Sequence, residues 1–328
     1  METENASKST KGRTGLTRVL PVLVASGVIA TFVSLLAAHW WVADILANLR
    51  VQQVIGLVTL LAICLVIRRP RCVLVTLVLI AIHGSFFVSR YQASSAIDPS
   101  SVVRVMTANV LTSNPNANEI VTQIRDQTPD VVAILELDSS LAEHLNRALS
   151  DGYPHRCVRP DDHGNFGIGL YSRHSMVDID VIQFDRSIES IAATVQCNSF
   201  PFRLIATHPL PPIGTIGFDR RNHHLTSLAD HIDTLRDDPD QMPVIVMGDL
   251  NLTPWSPIFG TLEERTGLSR AVIGFGLMPT WYAKESFAFG LVLDHVLISD
   301  GLKCVSHHVG DSFGSDHRAV TADVAREQ

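Results

Sequence analysis

Cysteine is scarce in this sequence. Only five of its 328 residues are cysteine, which excludes a fold held together by a network of disulfide bonds. No two of them have the spacing of a zinc site. Cys157, Cys197 and Cys304 lie in the C-terminal part of the chain, and this odd number allows at most one disulfide bond there. We expect all five to be small buried hydrophobic residues.

Several other features of enzymes and nucleic-acid-binding proteins are also absent. There is no glycine-rich phosphate-binding loop and no Gly-x-Ser-x-Gly sequence, and we find no internal repeat. Between Ser101 and Gln328 there are 17 lysines and arginines and 29 aspartates and glutamates, which gives a net charge of about −12. Proteins that bind duplex DNA usually present a basic face, because counterion release supplies much of their affinity. This charge disfavours a nucleic-acid substrate without excluding one.

The N-terminal part of the chain is strongly apolar. Val19–Ala38, Val51–Ile67 and Cys72–Val88 are uncharged runs of about the length that crosses a bilayer. A secretory signal peptide would explain the first run but neither of the others. We therefore predict three transmembrane helices within residues 19–88. A tail, residues 1–18, precedes them, and a small, polar linker, residues 89–101, follows.

Basic residues indicate how these helices are oriented. Four of them precede the first apolar run: Lys8, Lys11, Arg13 and Arg18. Three more, Arg68, Arg69 and Arg71, lie between the second and third runs. Because cytoplasmic loops carry an excess of Lys and Arg, the N-terminal tail is predicted to be cytoplasmic. An odd number of spans then places residues 102–328 outside the cytoplasm.

Residues 102–328 alternate between strand-like and helix-like segments. Strands are predicted near residues 102–106, 131–135, 167–171, 191–196, 203–207, 244–247, 292–298 and 319–324. Helices are predicted near residues 118–127, 140–149 and 219–236. Many strands with interspersed helices indicate one α/β domain.

Polar residues follow several of the predicted strands directly. The apolar run Val244–Met247 stops at Gly248-Asp249-Leu250-Asn251. Other strand ends carry Asn109, Glu136, His208, Asp294, and the pair Asp316 and His317. Each residue alone has an ordinary explanation, such as a turn former, a helix cap or a solvated strand end. Together they supply the carboxylate, amide and imidazole groups of a metal-assisted hydrolase.

Six short motifs carry a resemblance to a known family. They are Thr107-Ala108-Asn109, Leu135-Glu136, Thr207-His208, Gly248-Asp249-Leu250-Asn251, Leu293-Asp294-His295 and Ser315-Asp316-His317. In this order, they resemble the endonuclease/exonuclease/phosphatase superfamily of DNase I-like enzymes. The resemblance implies an α/β fold, a four-layered sandwich of two packed β-sheets flanked by helices. With three preceding spans, the chain resembles the membrane-anchored VanJ-type and YafD-type branch.

The resemblance also implies the roles of individual residues. Glu136 would be the main ligand of Mg²⁺ (or Mn²⁺), with Asn109 and Asp316 assisting, a set of oxygen donors that suits a hard cation. Asp249 would orient or deprotonate the attacking water, and Asn251 would bind the transferring phosphoryl group. Three further catalytic residues are implied: His208 and His317, which contact phosphate, and Asp294, which orients His317. Asn165 and Arg221 are expected to contact the substrate.

These expectations define a metal-dependent hydrolase of phosphoester bonds. On the outer side of the membrane, the substrate would be a lipid-linked phosphoester or pyrophosphate, such as a polyprenyl pyrophosphate carrier or a phospholipid. The alternative is an extracytoplasmic, membrane-tethered endonuclease or exonuclease, which the acidic charge disfavours. A third interpretation, a non-enzymatic membrane protein, conflicts with the filled catalytic positions.

Overall fold

The computed structural model describes residues 19–87, 102–236, 242–283, 286 and 289–327. The chain divides into two compact units, Met1–Ser89 and Arg90–Gln328. The tail 1–18 and the linker 89–101 lie outside the described residues. All five cysteines are free; Cys64 and Cys197 are buried, and the other three are partly buried.

The N-terminal unit is helical. Its elements are α1, described over Val19–Ser34, α2 (Trp41–Asn48), α3 (Arg50–Ile67), α4 (Pro70–Gly84) and a 3₁₀ turn at Ser85–Phe87. By length and composition, α3 and the Pro70–Phe87 segment are long and apolar enough to cross a membrane, whereas α1 is shorter. Three transmembrane helices are therefore not supported in full. The short helix α2, which was not predicted, lies between the first two apolar runs.

Buried polar side chains connect three of these helices. The Arg50 guanidinium, 1% exposed, lies 3.2 Å from Nδ1 of His83. Arginine can only donate, so this nitrogen accepts and the proton of the neutral His83 ring lies on Nε2. Nε2 is 3.1 Å from the Thr31 hydroxyl. Side chains of α1, α3 and α4 are thus joined by hydrogen bonds.

The described residues of the C-terminal unit form two six-stranded sheets, one two-stranded sheet and four helices. The strands are β1 (Val102–Asn109), β2 (Val131–Leu135), β3 (His155–Arg159), β4 (Ile168–Ser172), β5 (Met176–Asp185), β6 (Ile188–Val195), β7 (Phe202–Ala206), β8 (Val244–Asp249), β9 (Ser269–Arg270), β10 (Trp281–Tyr282), β11 (Gly290–Leu291), β12 (Asp294–Ile298), β13 (Leu302–Val309) and β14 (Val320–Arg326). The helices are α5 (Ala117–Gln127), α6 (Ser139–Ala148), α7 (Gly214–Arg236) and α8 (Pro257–Thr266). The large sheets have the orders β13-β14-β1-β2-β4-β3 and β5-β6-β7-β8-β12-β9.

The two large sheets pack face to face, and each carries helices on its outer face. Ile245 and Met247 of β8 enter the core between the sheets, together with Val103 and Val105 of β1. Alternate residues point the other way, because successive side chains of a strand face opposite sides. They pack with residues of α5 and α6 on one sheet and of α7 and α8 on the other. The predicted four-layered α/β sandwich is confirmed.

Strand directions bring the polar strand ends to one edge. β1 is parallel to β2, with Asn109 opposite Leu135, and β7 is parallel to β8. The carboxyl ends of parallel strands meet at the same edge of a sheet. β12 runs antiparallel to β8 and begins there, with Asp294 directly opposite Asp249. The sheets thus assemble the candidate site from residues distant in sequence.

Candidate active site

Asp249 occupies the end of β8 and is only 1% exposed. Its Oδ1 accepts a 2.8 Å hydrogen bond from the backbone N–H of Asn251, a local turn that Asp commonly forms. Gly248 precedes it at a position where a side chain would not fit, because a Cβ would collide with the Thr207 carbonyl oxygen. The glycine therefore lets β7 and β8 approach closely beside the carboxylate.

Three polar side chains surround the second oxygen of Asp249. Oδ2 lies 3.1 Å from Nδ2 of Asn109, 3.4 Å from Nε2 of His208 and 3.6 Å from Nε2 of His317. Burial alone would disfavour the charged carboxylate, but the charge of His317 and the hydrogen bond from His208 outweigh it. The pKa of Asp249 is lowered to about 2. Asp249 is consequently an anion at neutral pH.

His317 lies between two carboxylates. Its Nδ1 is 2.8 Å from Oδ2 of Asp294, and its Nε2 faces Asp249. Burial would lower the pKa of His317, but Asp294 and then Asp249 stabilise the imidazolium and raise the pKa to about 10. Thr280 holds Asp294 in place by accepting the backbone N–H groups of Leu293 and Asp294. The pair supplies a fixed, protonated imidazole.

Glu136 directly follows β2 and is held by two donors. Its Oε1 accepts from Nδ2 of Asn109 at 2.9 Å, and its Oε2 from the Thr112 N–H at 3.2 Å. Its φ of 59° is uncommon for a residue other than glycine and is typical of functional sites. Oδ1 of Asn109 accepts from the Leu111 N–H, so its amide turns the NH₂ group, not the oxygen, towards the carboxylates.

Asp316 is exposed, and its carboxylate is oriented by an indole. Nε1 of Trp281 donates to Oδ2 of Asp316 at 2.7 Å, and the Tyr282 N–H donates to the Asp316 carbonyl. The neighbouring Ser315 hydroxyl donates to the backbone carbonyl of Asn109 at 2.8 Å. The Ser-Asp-His segment is thereby fastened to the end of β1.

Two groups of acidic residues are candidates for a cation. Within the described ranges, the ligand atoms of Asp249, Asp294 and His317 lie within 4.8 Å of one another. However, the 2.8 Å contact between Nδ1 of His317 and Asp294 has the length of an N–H···O hydrogen bond, so Nδ1 of His317 carries a proton and has no lone pair for a metal. Glu136 is half-buried and Asp316 is exposed, and their hard carboxylate oxygens suit a hydrated divalent ion better.

The remaining predicted residues lie beside this centre. His208 and Asn251 meet at 3.2 Å, and the Asn251 amide also donates to the Pro209 carbonyl. Asn165 is exposed, and the next residue, Phe166, packs its ring 5.3 Å from that of His208. An aromatic ring therefore packs beside His208, a contact that the sequence patterns did not indicate.

Arg221 is placed differently from the expectation. Its side chain is fully buried, and its guanidinium contacts the Asn251 carbonyl at 3.4 Å and the side chain of Asn222 at 2.8 Å. In this position it supports the turn that carries Asn251 and does not reach solvent. Contact between Arg221 and the substrate remains a prediction.

Sequence reasoning missed a buried network behind His208. The Thr207 hydroxyl lies 2.7 Å from the Ser190 hydroxyl and 2.7 Å from Nε2 of His224. Burial lowers the pKa of His224 to about 3, so this imidazole stays neutral. No spacing rule connects Ser190 with His224, and only the sheet topology brings them together.

Fold and site together define a metal-dependent hydrolase that acts on phosphoester bonds. The model of the Endonuclease/Exonuclease/phosphatase family matches residues 106–317, and the chain belongs to this family. The resemblance indicated by the six motifs is thus confirmed at the family level. A comparison with curated protein sequences finds no match.

Solved structures with the same fold include enzymes that act on different substrates. An endonuclease/exonuclease/phosphatase from Beutenbergia cavernae DSM 12333 is 23% identical, with a TM-score of 0.55 over 69% of this chain and 72% of its own. A 3′ phosphatase from Neisseria bound to a product DNA hairpin is 20% identical (TM-score 0.55; 67% and 98% covered). Sphingomyelinase C from Streptomyces griseocarneus is 17% identical (TM-score 0.53; 68% and 99% covered). These likenesses establish the fold and leave the substrate open.

Proposed function

We propose that this protein is a membrane-anchored, divalent-metal-dependent phosphoesterase that cleaves a lipid-linked phosphoester or pyrophosphate outside the cytoplasm. One observation carries the proposal: a phosphoester hydrolase domain follows two helices, α3 and the Pro70–Phe87 segment, whose length and composition suit a bilayer. The acidic balance of the domain also supports it, because a lipid substrate in the same membrane needs no long-range electrostatic steering.

The oxygen donors of the site fit Mg²⁺ or Mn²⁺. Glu136 and Asp316 would hold the ion. Asn109 would assist if its amide turned its oxygen outward. When bound, the ion neutralises charge on the phosphate and on the leaving oxygen. Trp281 and Thr112 keep the two carboxylates in place through their hydrogen bonds.

The protein groups around Asp249 would carry the hydrolysis. Asp249, ionised and buried, accepts a proton or hydrogen bond from the attacking water and aligns it with phosphorus. His317 donates from its charged ring to a phosphate oxygen, and Asp294 keeps the ring oriented and protonated. His208 and Asn251 contact each other on the other side of Asp249, where both side chains would flank the phosphate.

Basic residues support the orientation. Lys8, Lys11, Arg13 and Arg18 before α1, and Arg68, Arg69 and Arg71 between α3 and α4, favour a cytoplasmic position for these segments. With α1 also crossing, the catalytic domain lies outside. A reporter enzyme fused after Val88 is expected to be active only outside the cytoplasm. A cytoplasmic signal would rule out the outer-leaflet substrate.

A side-by-side assay distinguishes the substrates. The purified full chain is given a polyprenyl pyrophosphate, a phospholipid and plasmid DNA, each with Mg²⁺, Mn²⁺ or EDTA. We expect turnover of a lipid substrate that EDTA abolishes and Mg²⁺ or Mn²⁺ restores. Faster cleavage of DNA would favour the tethered nuclease, and turnover in EDTA would contradict the metal-dependent mechanism.

A further inference from the structure

The loop after His208 exposes two isoleucines beside the active site. The segment from Pro209 to Phe218, here called the proline loop, includes the first turn of α7 and contains no charged residue. Ile213 and Ile216 within it are 72% and 76% exposed. Among large hydrophobic residues in the described part of the catalytic unit, none is more exposed. Neighbouring exposed apolar side chains of this kind are typical of interaction surfaces.

The proline loop is held rigidly in this form. Three prolines fix their φ angles, and the Ile213 N–H donates to the Pro211 carbonyl at 2.8 Å. Gly217 has no Cβ, so α7 can approach the Pro211 carbonyl more closely than it could with any other residue at this position. Phe218 is buried and anchors the end of the loop. The isoleucines are therefore presented outward by fixed backbone.

The proline loop is also joined to the catalytic groups. Its first residue, Pro209, follows His208 directly, and its carbonyl accepts a 2.9 Å hydrogen bond from the Asn251 amide. Arg221, on the next turn of α7, contacts the Asn251 carbonyl. Whatever binds Ile213 and Ile216 therefore contacts a segment that begins directly after His208 and is hydrogen-bonded to Asn251.

We propose that Ile213 and Ile216 insert into the surface of a lipid bilayer and place the active site against membrane-borne phosphate. This inference rests on the proposed membrane anchoring. Residues 88–101 join α4 to β1 and span at most about 50 Å when fully extended, so an anchored chain always keeps the domain within reach of the bilayer. An uncharged loop matches the boundary between headgroups and hydrocarbon, where apolar side chains are buried.

A fluorescence experiment on the full chain tests the insertion directly. Ile216→Trp is compared with Ile179→Trp in phosphatidylcholine vesicles with or without brominated acyl chains, after subtraction of the unsubstituted chain. Ile179 is a matched control, since it is an isoleucine 44% exposed on β5. It lies towards the end of that strand where Met176 pairs with Val195, away from the polar strand ends. Bromine quenching is expected to be at least about twofold stronger for Ile216→Trp.

Equal quenching of the two variants would overturn the proposal. Quenching that falls as the protein-to-lipid ratio rises would also overturn it, because the loop would then be covered by a second copy of the chain and shielded from the lipid. The quenching measurement needs no turnover. Failure of the protein to hydrolyse lipid would therefore reject the proposed function and leave the test of loop insertion valid.

A second measurement connects the loop with substrate access. The Ile213→Ser/Ile216→Ser variant is expected to hydrolyse the lipid substrate in vesicles about tenfold more slowly than the unsubstituted chain. The same lipid dispersed in detergent is expected to show little difference. An unchanged ratio of the two rates would contradict the proposal.

Discussion

At the scale of single residues, the site depends on how His317 is charged. Asp294 binds its Nδ1 at 2.8 Å, and Asp249 faces its Nε2 at 3.6 Å. Two carboxylates around one buried imidazole keep it protonated far above the ordinary pKa of histidine. A permanent donor is useful where negative charge develops on a phosphate oxygen. Asp294 can therefore affect catalysis without touching the substrate.

Asp294→Asn is expected to move the alkaline limit of activity to lower pH. With the pKa of His317 at about 10, its proton is present below that pH and is lost as the pH rises through it. Removing the carboxylate that raises this pKa most makes the proton leave earlier. The pH profile of kcat/KM measures the shift, together with a rate loss of about 10²-fold or more. A profile with an unchanged alkaline limb would show that another group governs it.

Arg221→Met separates a positioning role from substrate binding. Loss of the buried contact to the Asn251 carbonyl is expected to lower the free energy of unfolding by about 1–3 kcal/mol and to reduce kcat. A direct substrate ligand would instead raise KM and leave stability unchanged. The control is Arg147→Met, because the Arg147 side chain lies on helix α6 and is 73% exposed. Denaturant unfolding and steady-state kinetics give both readouts.

At the scale of elements, the sequence patterns predicted the inner strands of the two large sheets but not their edge strands. β1, β2, β7 and β8 are buried on both faces, so they read as apolar runs. The strands that flank the two large sheets are β3, β5, β9 and β13, and none was predicted. β3 carries His155, Arg156 and Arg159, and β5 carries exposed aspartates. An edge strand keeps polar residues, so it lacks the apolar run that marks a strand.

Gly248→Ala tests how β7 and β8 position Asp249. The added Cβ would collide with the Thr207 carbonyl oxygen, so we expect a loss of about 3 kcal/mol or more in stability, with a large loss of activity. Gly260→Ala on α8 is the matched control, because nothing lies within 4 Å of its Cβ position. Alanine in a helix interior stabilises by about 0.5–1 kcal/mol over glycine. Equal unfolding midpoints for the two variants would contradict this account.

At the scale of the whole molecule, the site is where sequence and fold agree best. The resemblance named Asn109, Glu136, Asp249, Asp294 and His317, and the sheets bring their side chains to one edge. Supporting groups such as Thr280, Phe166 and the Ser190–Thr207–His224 network were not predicted. Their partners are remote in sequence and are determined by register and packing. A pattern along the chain cannot report contacts that strand pairing and the packing of helices and sheets create.

The whole catalytic unit is expected to lose stability in mild acid because two histidines are buried in neutral form. Burial lowers the pKa of His224 to about 3 and that of His295 to about 4, against 6.5 when exposed. The unfolded chain therefore binds more protons below pH 6.5, and stability falls as the pH decreases towards these values. Between pH 6.5 and 5, each histidine is expected to lower the free energy of unfolding by roughly 2 kcal/mol.

Urea unfolding of the full chain at several pH values measures how the free energy of unfolding depends on pH. His295→Asn is expected to reduce this dependence, whereas the exposed control His155→Asn is not. A slope that His295→Asn leaves unchanged would mean that other groups cause the acid sensitivity.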